Sequence, residues 1–126
     1  MLTKATSPAF AKLLTSDEDF DLFDRFATDH EGDTIRFNGV IAALDPYGSY
    51  KTRYNLLILA GNSAGAGAKG PNFHFANVGT ADLNLTGDNI PDNLQVGQHI
   101  RVTATVQTFN VKQGLLELEP ITTEFR

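Results

Sequence analysis

Three tyrosines interleaved with two cations, in the run YGSYKTRY at residues 47–54, form the densest patch of ligand-contacting residue types in the chain. The rings of Tyr47, Tyr50 and Tyr54 offer stacking faces for sugar rings or bases, and Lys51 and Arg53 offer charge to a phosphate or carboxylate. Residues 36–69 hold four bases and one acid, which makes this the locally basic part of the sequence. His74, between Phe73 and Phe75, adds a polar tip to an aromatic pair, and Phe109 with Lys112 supplies the opposite lip from the last hairpin. The expected ligand face therefore comprises Tyr47, Tyr50, Lys51, Arg53, Tyr54, Phe73, His74, Phe109 and Lys112. The same residues also suit a plainer reading, in which the tyrosines cover a barrel end and His74 is a half-buried strand histidine with one hydrogen-bond partner.

Other chemistry is poorly represented. Asp17, Glu18, Asp19, Asp21 and Asp24 lack the alternating oxygen ligands around a glycine that a calcium loop needs, and they suit a capped, solvated helix instead. Asp88, Asn89, Asp92 and Asn93 sit among Gly and Pro and read as turns. His30, His74 and His99 show no ligand spacing, whereas zinc takes three or four ligands. There is no cysteine nucleophile, Gly-x-Ser-x-Gly elbow or dinucleotide fingerprint, and GAGAKG lacks the Lys-Ser/Thr pair of a phosphate loop. No catalytic residue, cofactor or metal is expected.

The elements that must position these residues are those of one domain of 126 residues. A chain of this size buries roughly two-thirds of its unfolded surface. With no cysteine, a disulfide framework is excluded. No stretch approaches the roughly 20 apolar residues of a membrane span, and the first residues lack a secretory apolar run, so the chain reads as soluble. Residues 1–33 hold eight acids and three bases, and residues 34–126 hold seven of each, so the net charge of −5 belongs to the N-terminal segment. A neutral body with an acidic cap is a poor partner for a phosphate backbone.

Residues 1–32 read as helical. Ser7-Pro8 predicts a first turn or two, and Thr15 with Glu18 at capping-box spacing predicts an amphipathic helix of about three turns. Phe20, Phe23 and Ala27 form its apolar stripe, and Gly32 stops it. The barrel is expected over 33–126, and from Thr34 onward the period becomes two. Ile35, Phe37, Ile41 and Ala43 share a phase, with Gly39 marking a bulge or bend between them. The LLILA run within 53–60 predicts a strand buried on both faces, and residues 72–78 predict a third strand with Phe73 and Phe75 in phase. Residues 79–93 read as irregular. Ile100, Val102, Ala104 and Val106 alternate with polar residues in the clearest strand, and a turn at Lys112-Gln113-Gly114 leads to Leu116 and Leu118 in the last.

Five strands, with LQVGQHIRVTATVQTFNVKQGLLELEPI stepping through the last two, resemble an OB-fold barrel. The segments IRFNGVIA, YGSYKTRYNLLILAG, GPNFHFANV, DLNLTGDNIP and LEPITTEFR resemble an uncharacterised bacterial domain-of-unknown-function family, family 4839. That resemblance implies a module within a larger envelope-associated protein and supplies no activity, cofactor or catalytic residue. The expected fold is a mostly-β, five-stranded barrel over 33–126 with an N-terminal amphipathic helix. The expected function is a non-catalytic binding module, its ligand a protein segment or a glycan held across strands two and three. The alternative is single-stranded nucleic acid on the same face; a hydrolase built on distant acids such as Asp45, Asp82 and Asp88 comes third.

Overall fold

Two competing cap signals near the N-terminus resolve into two short helices. The Ser7 hydroxyl accepts from the Phe10 amide at 3.2 Å and Pro8 occupies the first turn, which starts α1 (Pro8–Thr15). The Asp19 carboxylate accepts from the Leu22 amide at 3.1 Å and starts α2 (Phe20–Asp29). The capping box expected from Thr15 and Glu18 is not formed. Thr15 ends α1 and its hydroxyl donates back to the Ala11 carbonyl at 3.0 Å, while Ser16 turns both its amide and its hydroxyl onto the Leu13 carbonyl. Side chains that bond the backbone this way compete with helix continuation, so the chain breaks at Ser16 and restarts at a carboxylate.

The structure is a computed structural model that describes residues 1–49, 52–61, 68–88 and 90–126. Its strands are β1 (Thr34–Pro46), β2 (Tyr54–Ala60), β3 (Asn72–Val78), β4 (Leu85–Thr86), β5 (His99–Asn110) and β6 (Leu115–Phe125). At 13 residues, β1 is long enough to serve two neighbours, β5 along its first half and β2 along its second. Gly39 lies where the two ladders overlap. A Cβ there would stand 2.8 Å from the Leu59 carbonyl oxygen and 2.9 Å from Ile58 Cγ2, so glycine admits the close approach of β2. The register slip against β2 falls just beyond it, between Ile41 and Ala43, and re-aims the second half of the strand.

The barrel runs β3-β2-β1-β5-β6 and closes by a parallel pairing of β3 with β6, at Asn72–Leu115, Phe73–Leu116 and His74–Glu117. Its other neighbours are antiparallel. This is the mostly-β, five-stranded barrel that the alternation predicts. Residues 79–93 are less irregular than expected, because α3 (Thr80–Leu83) leads into the two-residue β4, which pairs with the end of β6 outside the barrel.

One aromatic path joins the helices to the barrel interior. Phe26 stacks on Phe10 at 5.8 Å, Phe10 meets Phe37 edge-on at 6.3 Å, and Phe37 stacks on Phe73 at 4.3 Å. On the α2 side, Phe20 and Phe23 both meet Phe109 of β5 edge-on, at 5.3 and 5.7 Å. Each such pair contributes about 0.5–1.5 kcal/mol beyond its burial. The two-sided burial expected of LLILA does not occur. Leu56 and Ile58 enter the core while Leu57 and Leu59 stay half-buried, since only one face of a barrel strand meets the interior. Among the described residues no helix is long and apolar enough to cross a membrane.

Candidate functional site

The structure does not gather the expected ligand face into one surface. Phe73 is fully buried, in phase with Phe75, and Phe109 is 5% exposed because the register slip against β6 between Val106 and Phe109 turns it inward, out of phase with Ile100 to Val106. They are corrected to core residues. His74 points the other way, and its Nδ1 lies 2.8 Å from a Glu117 carboxylate oxygen across the closing seam, with the two side chains 15% and 17% exposed. That is the plainer reading of the histidine.

Arg53 is held by neighbours within the fold. Its Nη1 lies 2.9 Å from Asp82, its Nε donates to Asn77 Oδ1 at 2.9 Å, and its Nη2 donates to the Asn77 carbonyl. Asp82 also accepts from the Gly79 amide at the start of α3. Tyr47 is exposed in the β1–β2 turn, where its amide donates to the Arg53 carbonyl at 2.9 Å, and Tyr54 is half-buried opposite Pro46 and Val78. Tyr50 and Lys51 lie outside the described residues. Lys112 is exposed, but it precedes Leu115, which pairs with Asn72 at the far end of β3 from Val78. At about 3.3 Å per residue, roughly 20 Å of strand separate it from Tyr54. The opposite lip expected there is not assembled.

A different site is assembled. A groove of about 680 Å³ lies over the outer face of β1 and β5, between the N-terminal segment, the end of α1 and the residues leading into β3. Four cations line it among the described residues: Lys4, Arg36, Lys69 and Arg101. No acid lines it among the described residues.

Each wall is fixed by backbone pairing. Leu2 bridges to β1, donating to Thr34 and accepting from the Arg36 amide at 2.8 and 2.9 Å, which brings Lys4 to the groove. The Gly70 amide donates to the Ser16 carbonyl at 2.8 Å, and Lys69 pairs with Asp17, so the segment before β3 is docked on the end of α1. Gly70 adopts a φ of +83°, and a Cβ would stand 3.1 Å from the Leu14 carbonyl oxygen, which leaves this close turn to glycine. The hydrogen bond from Lys69, and then its charge, holds the Asp17 carboxyl below the usual carboxylate range.

Arg36 and Arg101 project from the floor. Arg36 Nε donates to Thr103 Oγ1 at 3.1 Å, and Arg101 Nε donates to Asn38 Oδ1 at 3.2 Å, with Arg101 Nη1 on Glu124 at 3.1 Å. Sequence reading missed this site because its cations stand at positions 4, 36, 69 and 101, far apart in the chain. The excess of bases over residues 36–69, which contains Arg36 and Lys69, was the available signal.

Among the described residues no group of three or more His, Cys, Asp or Glu is placed to hold a metal ion. No curated protein and no solved structure matches the chain. The family described as Domain of unknown function (DUF4839) matches residues 5–126, nearly the whole chain, and the protein belongs to that family.

Proposed function

We propose that the domain is a non-catalytic binding module that holds an anionic protein segment in the groove over β1 and β5. The observation that carries this reading is the convergence of Lys4, Arg36, Lys69 and Arg101 on one concave surface of a chain whose net charge is −5. A cleft lined by one sign of charge concentrates ligands of the other.

The lining selects among anions. Phe37 is the one aromatic among its described residues, and at 6% exposure it gives neither a sugar ring nor a base a face to stack on. This favours a peptide over a glycan or a single-stranded nucleic acid. The strand order, with the third barrel strand parallel to the last, supports reading the fold as an OB barrel. In that case the ligand lies beside β1 and β5 rather than on the face of strands two and three that such barrels commonly use.

The test is fluorescence anisotropy with labelled peptides rich in Asp and Glu, run beside an oligouronate and a thymidine oligonucleotide. Acidic peptides should bind, lose affinity with added salt, and fail to bind when Lys4 and Lys69 are both changed to Glu. Tighter binding of the oligonucleotide, or peptide binding indifferent to the Lys4→Glu/Lys69→Glu pair, would remove the reading.

A further inference from the structure

We infer that Arg36 and Arg101 form a two-guanidinium clamp for a phosphoryl group, so that the segment taken by the groove is a phosphorylated one; this rests on the binding-module reading above. The geometry comes from the β1–β5 register. Arg36 stands opposite Thr103 and Arg101 stands opposite Asn38, which makes the two arginines diagonal neighbours on the outer face. Diagonal neighbours of this kind stand about 7–8 Å apart, with their Cβ atoms somewhat closer, a span that two long side chains close around a single group.

Each guanidinium is aimed by the neutral residue directly across the ladder. Thr103 Oγ1 accepts from Arg36 Nε and Asn38 Oδ1 accepts from Arg101 Nε. Neither contact neutralises charge, and both leave terminal nitrogens for a ligand. Arg101 keeps Nη2 beyond its bond to Glu124. Fixing the fork in advance reduces the side-chain entropy lost on binding.

The charge count points to a dianion. Of the four cations, Lys69 is paired with Asp17 and Arg101 with Glu124, while Arg36 and Lys4 have no acidic partner among the described residues. The groove and its two acids therefore carry a net of about +2, which matches the charge of about −1.5 to −2 on a phosphomonoester at neutral pH. A carboxylate is satisfied by one guanidinium fork, whereas three phosphoryl oxygens accept from both arginines at once.

Inorganic phosphate, titrated at constant ionic strength and followed by NMR, reports on the clamp without knowledge of the natural ligand. Phosphate should shift the Nε–H signals of Arg36 and Arg101. Its affinity should fall on the order of tenfold in Arg36→Gln and in Arg101→Gln. It should also fall in Arg36→Lys, which keeps the charge and loses the fork, with melting temperature confirming that each variant is folded. A phosphoserine peptide should bind more tightly than the same peptide with Glu in that position. Unshifted arginine signals, or wild-type phosphate affinity in Arg36→Gln, would overturn the clamp. A Glu peptide that binds as well as the phosphopeptide and survives Arg36→Gln would overturn the clamp and leave the groove reading standing. Failure of the phosphopeptide and the Glu peptide alike to bind would remove both.

Discussion

Arg53 Nη1 and Asp82 Oδ2 lie 2.9 Å apart and tie the start of β2 to the first turn of α3. With Asn77 taking two further bonds from the same guanidinium, the cation that looked most available to a ligand is an internal strut. Both side chains are more than a third exposed, so water screens the pair. Changing Arg53 to Met and Asp82 to Asn should therefore show a coupling of about 0.2–1 kcal/mol in a double-mutant cycle read by urea denaturation. The Arg53 variant should leave anion binding in the β1–β5 groove unchanged.

The His74–Glu117 pair is more enclosed. It crosses the three-residue ladder that closes the barrel. Replacing His74 by Gln and Glu117 by Gln, singly and together, should give a coupling of about 1–2 kcal/mol, above that of the Arg53 pair. Urea midpoints of the four proteins measure it, and a coupling indistinguishable from zero would show that the seam does not depend on this contact.

At Gly39 a methyl group would meet the Leu59 backbone as well as a side chain. Backbone cannot rotate away, so Gly39→Ala should destabilise the barrel by about 1–3 kcal/mol. Thermal denaturation should show the lower midpoint. Gly48 has open space around its Cβ position, so Gly48→Ala should meet no clash and cost only the strain of its left-handed φ of +59°, about 1–2 kcal/mol.

Lys69 depresses the pKa of Asp17. A carboxylate whose folded pKa lies below its unfolded value contributes stability above the unfolded pKa, and that contribution is lost as pH falls through the folded one. For Asp17 the loss falls below pH 3.8, the ordinary value. Lys69→Met should restore an ordinary titration of the Asp17 carboxyl, measured by NMR, and should loosen the residues leading into β3 from the end of α1.

Phe109 receives both Phe20 and Phe23 of α2. Truncation to Ala should cost about 3–5 kcal/mol, since it opens a cavity between helix and barrel. Calorimetry should record the loss, and hydrogen exchange should show α2 less protected relative to β2.

Much of the barrel was legible because burial on one face imposes a period of two, as Ile100, Val102, Ala104 and Val106 show by all entering the core. The same rule placed Phe73 and Phe75 inside, which is why Phe73 could not also belong to a surface platform. The groove was hidden for a different reason. Counting charges along the chain compares neighbours in sequence, whereas Arg36 and Arg101 become neighbours only through the β1–β5 ladder. The break between α1 and α2 was obscured because Thr15, Ser16 and Asp19 are all competent caps, and only the packing of Phe10 and Phe23 into one core decides among them.

Closure of the barrel also governs how the chain reaches its fold. His74 and Glu117 are 43 residues apart in sequence, and Arg36 and Thr103 are 67 apart. Their ladders form only after long loops have been closed, an entropic cost that precedes any gain from contact. The meander β1–β2–β3 and the hairpin β5–β6 can form early, and the two ladders that join them, β1–β5 and β3–β6, come afterwards. Such a topology belongs with the domains that fold in milliseconds to seconds rather than microseconds. The β1–β5 groove, floored by one of those late ladders, exists only once the chain has committed to its final topology.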